Sequence, residues 1–308
     1  MRVTNKMLTT SVIRNINASL VRMQKAQEQM NTSKQINRPS DDPVRIARLL
    51  SLKSALRSSD QYKNNMEDGK DWLDAMDNAL GGVTEILHSL SDLAMSGAND
   101  TVTQTSRDAM AMQVEEMAGD LAQLANSQYA GRYIFAGTNN TQQPFTRPPL
   151  GDPNHDQLQY SGNSELMNWE VSPGVSVQVN QPGDQVFAVD NLDPNKPSGF
   201  FTILMDLRDA LSSGDSAAIS SDIIPRLSAQ LDSILTSRAE IGARTKRLEM
   251  ALDRSEVFAI GMQELLSKLQ DIDLPEAVMN FKAEQNVYQA ALATTAQMLP
   301  MSLVNFLR

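Results

Sequence analysis

The chain has 308 residues with few aromatics (Phe 8, Tyr 5, Trp 2) against Met 17, an inventory that suits long helices better than a compact enzyme. It holds no cysteine, which excludes thiol catalysis, disulfides and Cys-ligated zinc, and no apolar run of about 18 residues that could cross a membrane. The net charge of −10 is uneven, with 12 Lys+Arg against 4 Asp+Glu in residues 1–63 and 13 against 32 in residues 64–280; the basic stretch is interleaved with an apolar ladder and carries no stacking aromatics, so it is a solvated helix face and not a nucleic-acid site.

The first stretch has neither an uninterrupted apolar segment nor a small-residue cleavage site, which argues against a cleaved secretory signal. Its apolar residues Ile13, Ile16, Leu20, Met23 and Met30, with Gln27 in the gap, alternate in steps of three and four, the signature of a heptad seam. A lone helix of this length is marginal in water and needs a partner.

Residues 36–50 read INRPSDDPVRIARLL. Pro43 disfavours the α region at Asp42 and suits the first position of a helix, so Asp42 is the expected N-cap, with Asp41 beside it favoured by the helix dipole. The adjacent carboxylates therefore mark a helix start, with no histidine or basic partner nearby to point to catalysis. The helix that follows keeps four-three spacing through Tyr62, Met66, Gly69, Leu73, Met76, Leu80, Val83, Leu87, Leu90 and Ala94, and Gly81-Gly82 marks a bend within it. A third helix carries Met110, Val114, Met117, Leu121 and Leu124.

Between about 138 and 199 the composition changes, with most of the chain's prolines and short alternating runs. Val175, Val177 and Val179 line one face of a strand, and Pro173-Gly174 and Pro182-Gly183 predict type II turns. Helical pattern returns from Phe200 through Ile203, Leu207, Leu211, Leu227, Leu231, Ile234 and Ile241 to about Arg254 and beyond. A last seam follows through Leu274, Val278, Phe281, Gln285, Tyr288, Leu292, Thr295, Leu299, Ser302 and Phe306, interrupted by Pro300.

The order is nested, and the two terminal stripes are each other's cheapest partner. The expected fold is mainly α: an elongated helical rod with paired N- and C-terminal helices and a small inserted β-rich domain. The divisions are 1–42 with 275–308 as terminal coiled-coil segments, 43–138 with 200–274 as the rod, and 139–199 as the β-rich part.

Chemistry has few candidates. His88 lies on a helix between Leu87 and Leu90, and His155 lies with Asp152 and Asp156 in a turn-rich loop that resembles a metal site only weakly. Residues 190–199, DNLDPNKPSG, lack the alternating ligands and final Glu of a calcium loop. No nucleophile-elbow, phosphate-loop, zinc-protease or dinucleotide motif is present.

Three motifs carry a family resemblance: MNTSKQINRPSDDPVRIARLLSLKSAL at 30–56, GRYIFAGTNN at 131–140 and the C-terminal AQMLPMSLVNFLR. Together they resemble the flagellin family, and Pro-Ser-Asp-Asp-Pro with Gly-Arg-Tyr-Ile-Phe-Ala-Gly is similar to its hook–filament junction branch. The likeness covers both ends and is weak over 141–199. Ser33 stands where the family often has Gly.

The resemblance implies an extracellular structural protein of the bacterial flagellum, exported by the type III apparatus without a cleaved signal. Implied partners are hook-associated protein 1, flagellin, further copies in a ring, and an export chaperone. No nucleic acid, membrane, small-molecule substrate, cofactor, metal or catalytic residue is implied. The terminal segments would order on assembly, with Ile13, Ile16, Leu20, Met23, Met30, Val278, Phe281, Tyr288, Leu292, Leu299 and Phe306 as the assembly seam. Alternative readings are a filament flagellin, a flagellin-like protease, or an exported coiled-coil effector.

Overall fold

A computed structural model describes residues 5–147, 158–187 and 199–304. The chain is mainly α, with helices α1 (Asn5–Thr32), α2 (Pro43–Gly97), α3 (Gln104–Ala125), the short α4 (Gly183–Val186), α5 (Gly199–Ser213), α6 (Ser216–Ala218), α7 (Ile224–Gln270) and α8 (Leu274–Val304). Six short strands sit between α3 and α4: β1 (Gln128–Tyr129), β2 (Arg132–Tyr133), β3 (Phe145–Thr146), β4 (Gln159–Tyr160), β5 (Asn168–Ser172) and β6 (Val175–Gln178). They pair antiparallel as β1–β2, β3–β4 and β5–β6. No helix among the described residues is long and apolar enough to cross a membrane. The chain divides into two compact units, residues 1–58 with 257–308 and residues 59–256.

The central unit, 59–256, contains a continuous core. Along α2 every seam position from Met66 to Ala94 is buried, glycine included. Burial of a Leu or Met side chain is worth about 1.5–3 kcal/mol, so this one stripe is a large share of the unit's stability. The helix runs continuously through Gly81-Gly82. A Cβ on Gly82 would lie 3.0 Å from Leu124 Cδ1, so that glycine lets α3 approach α2 closely. On α3 the buried line is Ala111, Val114, Ala118, Leu121 and Ala125, with Met110, Met117 and Leu124 only partly covered.

The strand-bearing segment shares this core. Phe135 and Phe145 meet Phe187 edge-on at ring-centroid distances of 5.3 and 5.2 Å, and these rings join one buried cluster with α2, α3, α5 and α7. It is therefore continuous with the helical part, and the division expected at 138/139 and 199/200 falls inside a single compact unit. Pro173-Gly174 closes the β5–β6 hairpin with Gly174 at φ 72, the type II geometry the dipeptide predicts. Pro182-Gly183 does not: Pro182 (φ −63, ψ 146) leads into α4, and Gly183 has no positive φ. The glycine is there for space, since a Cβ would lie 2.7 Å from Phe145 Cζ and 2.9 Å from the Phe135 carbonyl oxygen.

The helix expected to continue from Phe200 breaks at Gly214 (φ 74) and resumes through a π-turn at Ile219–Ile223 before α7. Buried Arg107 fixes this break by donating from Nη1 to the Gly214 carbonyl at 3.3 Å and from Nη2 to the Asn99 carbonyl at 3.1 Å. The apolar ladder itself loses phase here, since Leu207 and Leu211 share a face but Leu227 lies 16 residues beyond Leu211, on the opposite side of a single continuous helix.

Candidate assembly surfaces

The terminal unit is built from α1, the loop 33–42, the start of α2, the end of α7, the loop 271–273 and α8. Its two loops are laced together by backbone: Gln35 N–H donates to the Gln270 carbonyl at 2.7 Å and Ile272 N–H to the Ser33 carbonyl at 3.2 Å, around a bridge between Lys34 and Asp271. Ser33 adopts φ 54, a left-handed conformation that ends α1 and turns the chain. Ile36, next in the chain to this bridge region, is buried.

α2 begins at Pro43, and Asp42 Oδ1 accepts from the backbone N–H of Val44 at 3.1 Å and of Arg45 at 2.9 Å. Asp41 turns the other way. Its Oδ2 accepts from the N–H of Arg38 at 3.0 Å and of Asn37 at 3.3 Å, and Oδ1 pairs with Lys25 Nζ at 2.8 Å. The Lys25 ammonium, followed by the Arg38 N–H, holds the Asp41 carboxyl below its usual value. So basic partners do stand beside both carboxylates, Lys25 on Asp41 and Arg45 on Asp42, and they tie α1 to the loop and cap α2.

α1 and α8 lie side by side. Arg22 Nε donates to Glu284 Oε1 at 2.8 Å and Ser19 Oγ to Glu284 Oε2 at 3.3 Å, and the Arg22 guanidinium holds the Glu284 carboxyl below its ordinary value. The covered line of α1 is Val12, Ile16, Ser19, Met23, Ala26 and Met30; that of α8 is Ala277, Phe281, Glu284, Tyr288, Ala291 and Thr295. Both lines alternate in steps of four and three. They share Ile16, Met23, Met30, Phe281, Tyr288 and Thr295 with the seams read from sequence, and Leu20 is half-buried beside them.

Ile13, Val278 and Leu292 instead stand 51%, 41% and 44% exposed. The side chain of Leu299 and the whole of Phe306 lie outside the described residues, and so do His155, Asp152, Asp156 and residues 190–198. α8 continues past Pro300 to Val304. Ser19, Ala26, Ala277, Glu284 and Ala291 were missed in the sequence; the signal that could have found them was the same four-three spacing carried by small and polar residues.

Apolar surface is what remains uncovered here. Besides those three, Met7, Val21, Val257, Ile260, Met279 and Val287 are exposed, each by more than half, while Ile36, Leu49 and Ala277 are the buried apolar residues of the unit among those described. His88 is exposed on α2. A groove of about 710 Å³ between α2 and α3 is lined by Glu85, Ile86, Ser89, Met117, Asp120 and Leu124 among others. Its Ser89 hydroxyl donates to the Glu85 backbone carbonyl at 3.1 Å, not to a base. Among the described residues no three His, Asp or Glu side chains are grouped to hold a metal ion.

Comparison with known proteins places these surfaces in context. Residues 3–140 match the family described as the bacterial flagellin N-terminal helical region, and residues 224–307 match its C-terminal helical region. The chain is 26% identical over 322 residues to flagellar hook-associated protein 3 of Escherichia coli K12, covering 98% of each. It is 25% identical over 320 residues to the protein of the same name from Salmonella typhimurium, again covering 98% of each. Its fold resembles the solved structure of a flagellar hook-associated protein from Vibrio parahaemolyticus, with a TM-score of 0.66 at 20% identity over 75% of this chain and 100% of that one.

Proposed function

The chain belongs to the bacterial flagellin family, and from that premise we propose that it is a structural subunit of the flagellum that joins the hook to the filament. The observation that carries the reading is the terminal unit, where both family regions meet and large apolar side chains stand in water. So many large apolar side chains left exposed on one small unit support a contact with other protein. In the proposed assembly Ile13, Val278 and Leu292 are covered by neighbouring subunits, while Ile16, Met23, Phe281 and Tyr288 hold α1 against α8. Leu20, Met30, Leu299 and Phe306 complete that seam.

End-to-end similarity to hook-associated protein 3 favours the junction over the filament, and Pro43 and the GRYIFAG motif at 131–137 point the same way. Hook-associated protein 1 lies beneath the subunit, and flagellin or the cap protein lies above it. Copies of the chain close a ring by head-to-tail contacts, the heterologous kind that builds rings and helical tubes. Export proceeds through the flagellar type III apparatus without a cleaved signal, assisted by a chaperone. Terminal helices of marginal stability suit a chain that travels unfolded and orders on assembly.

Removal of the gene tests this reading. The expected phenotype is hooks that carry no filament, with flagellin shed into the medium. Hooks bearing full filaments would sink the junction assignment, and bare hooks without shed flagellin would favour a filament subunit.

A further inference from the structure

We propose that the outer face of the first turns of α2 is a docking face for the outer face of α3 on a second copy of this chain. The inference rests on the reading that the protein assembles with its own copies, and names the surfaces that meet.

Residues 44–58 contain Arg45, Arg48, Lys53 and Arg57 and no acidic residue. On the solvent side of this stretch, Ala47, Ser51, Ser54 and Ser58 are all exposed in steps of four, three and four. Small residues in that pattern leave a shallow furrow along which another helix can lie close. Arg48 and Arg57 border the furrow and make no ion pair among the described residues. Val44 (65% exposed) and Leu50 (57%) flank it.

α3 has the complementary character. It holds Asp108, Glu115, Glu116 and Asp120 against a single cation, Arg107. Arg107 is buried and spends its donors on the Asn99 and Gly214 carbonyls, so it adds nothing to the outer face. Glu115 is taken by Arg147 and Arg208, while Asp108, Glu116 and Asp120 are exposed. Among these acids Met112 stands 67% exposed, one turn from exposed Ala109, and a Cβ on Gly119 would meet nothing within 4 Å.

A basic furrow of small residues thus faces an acidic ridge carrying one large apolar knob. Both are open to solvent in the single chain, so a contact between them joins two copies. It uses different faces on the two partners, and each copy keeps one of each free for the next, which lets the contact propagate. Opposite charge on the two faces steers the encounter and fixes which surface meets which.

The absence of cysteine makes the contact directly readable. Full-length chain carrying Ser51→Cys and Met112→Cys together is assembled in cells lacking the native gene and treated with a short bifunctional thiol reagent. The double variant should give a ladder of covalent multimers, and each single variant only monomer. Arg48→Glu with Arg57→Glu added should reduce the ladder about tenfold or more, and further adding Asp108→Lys with Asp120→Lys should restore it. Coexpressed unaltered chain keeps the readout available where a variant alone does not assemble.

A double variant that supports attached filaments without a ladder overturns the inference and leaves the junction reading intact. A ladder unmoved by charge reversal, or capture of the Ser51→Cys chain on a different flagellar protein, also overturns it. A ladder in cells whose hooks carry full filaments without this gene would keep the contact and sink the junction reading instead.

Discussion

Ser33 occupies a backbone position that suits glycine: φ is 54 immediately after the last residue of α1, where a Cβ crowds the following carbonyl. Its carbonyl accepts from Ile272, so the strain sits in the bridge between the two loops of the terminal unit. Ser33→Gly should stabilise that unit by about 1 kcal/mol, and Ser33→Val should destabilise it by at least as much. Thermal unfolding followed by far-UV circular dichroism checks the order of the three proteins. Asp41 supplies a second residue-scale expectation. Its folded pKa is depressed by Lys25 and by the Arg38 N–H. The stability it contributes is therefore complete above the ordinary carboxylate value of about 3.9 and is lost as pH falls through the lower folded value. A carboxyl NMR titration should find Asp41 below its usual pKa and shifted back up in Lys25→Met. An unshifted Asp41 in the unaltered chain would remove the ion pair from the account.

Among the helices, legibility tracked side-chain size. The α2 stripe could be read in full because Met66, Leu73, Met76, Leu80, Val83, Leu87 and Leu90 are large and all point inward. In α1 and α8 the covered line passes through Ser19, Ala26, Ala277, Glu284 and Ala291, while larger neighbours one position away stay in water. Hydrophobicity alone therefore drew the seam through Ile13, Val278 and Leu292. A helix pair can be covered by small residues when close approach and a buried-edge hydrogen bond, here Ser19 to Glu284, replace apolar bulk. The space-limited Gly183 was illegible for another reason, because it depends on Phe145, distant in sequence, whereas the break at Gly214 left a trace in the lost phase between Leu211 and Leu227. The split between covered and uncovered seam positions has a measurable consequence. Phe281→Ala or Met23→Ala should cost the α1–α8 pair about 1–2 kcal/mol, less than a fully buried truncation because both side chains are only half-covered. Ile13→Ser with Val278→Ser should leave the helicity of the isolated chain unchanged and prevent its incorporation into flagella. Loss of helicity in the serine pair would place those residues in the fold and not in the contacts between subunits.

The whole molecule combines two units of different character, and the difference bears on how the chain is built to work. Residues 59–256 carry nearly all of the buried apolar side chains, whereas residues 1–58 and 257–308 carry most of the exposed ones. A unit with so little buried surface has a small margin over the conformational entropy of ordering its helices. Unfolding of the full chain should therefore proceed in two steps, against the single transition usual for one cooperative domain. The first step should lose the helix content of the terminal unit, and the second should coincide with the transition of residues 59–256 expressed alone. Removing residues 1–35 or 275–308 should abolish assembly and leave that second transition within a few degrees of its original temperature. Calorimetry of the three chains decides the matter. One transition in the full chain, or collapse of the central transition when either end is removed, would mean that the terminal helices belong to the core. The alternative outcome, a stable centre with labile ends, is what a subunit needs if it is to stay unassembled until its exposed apolar residues meet a neighbour.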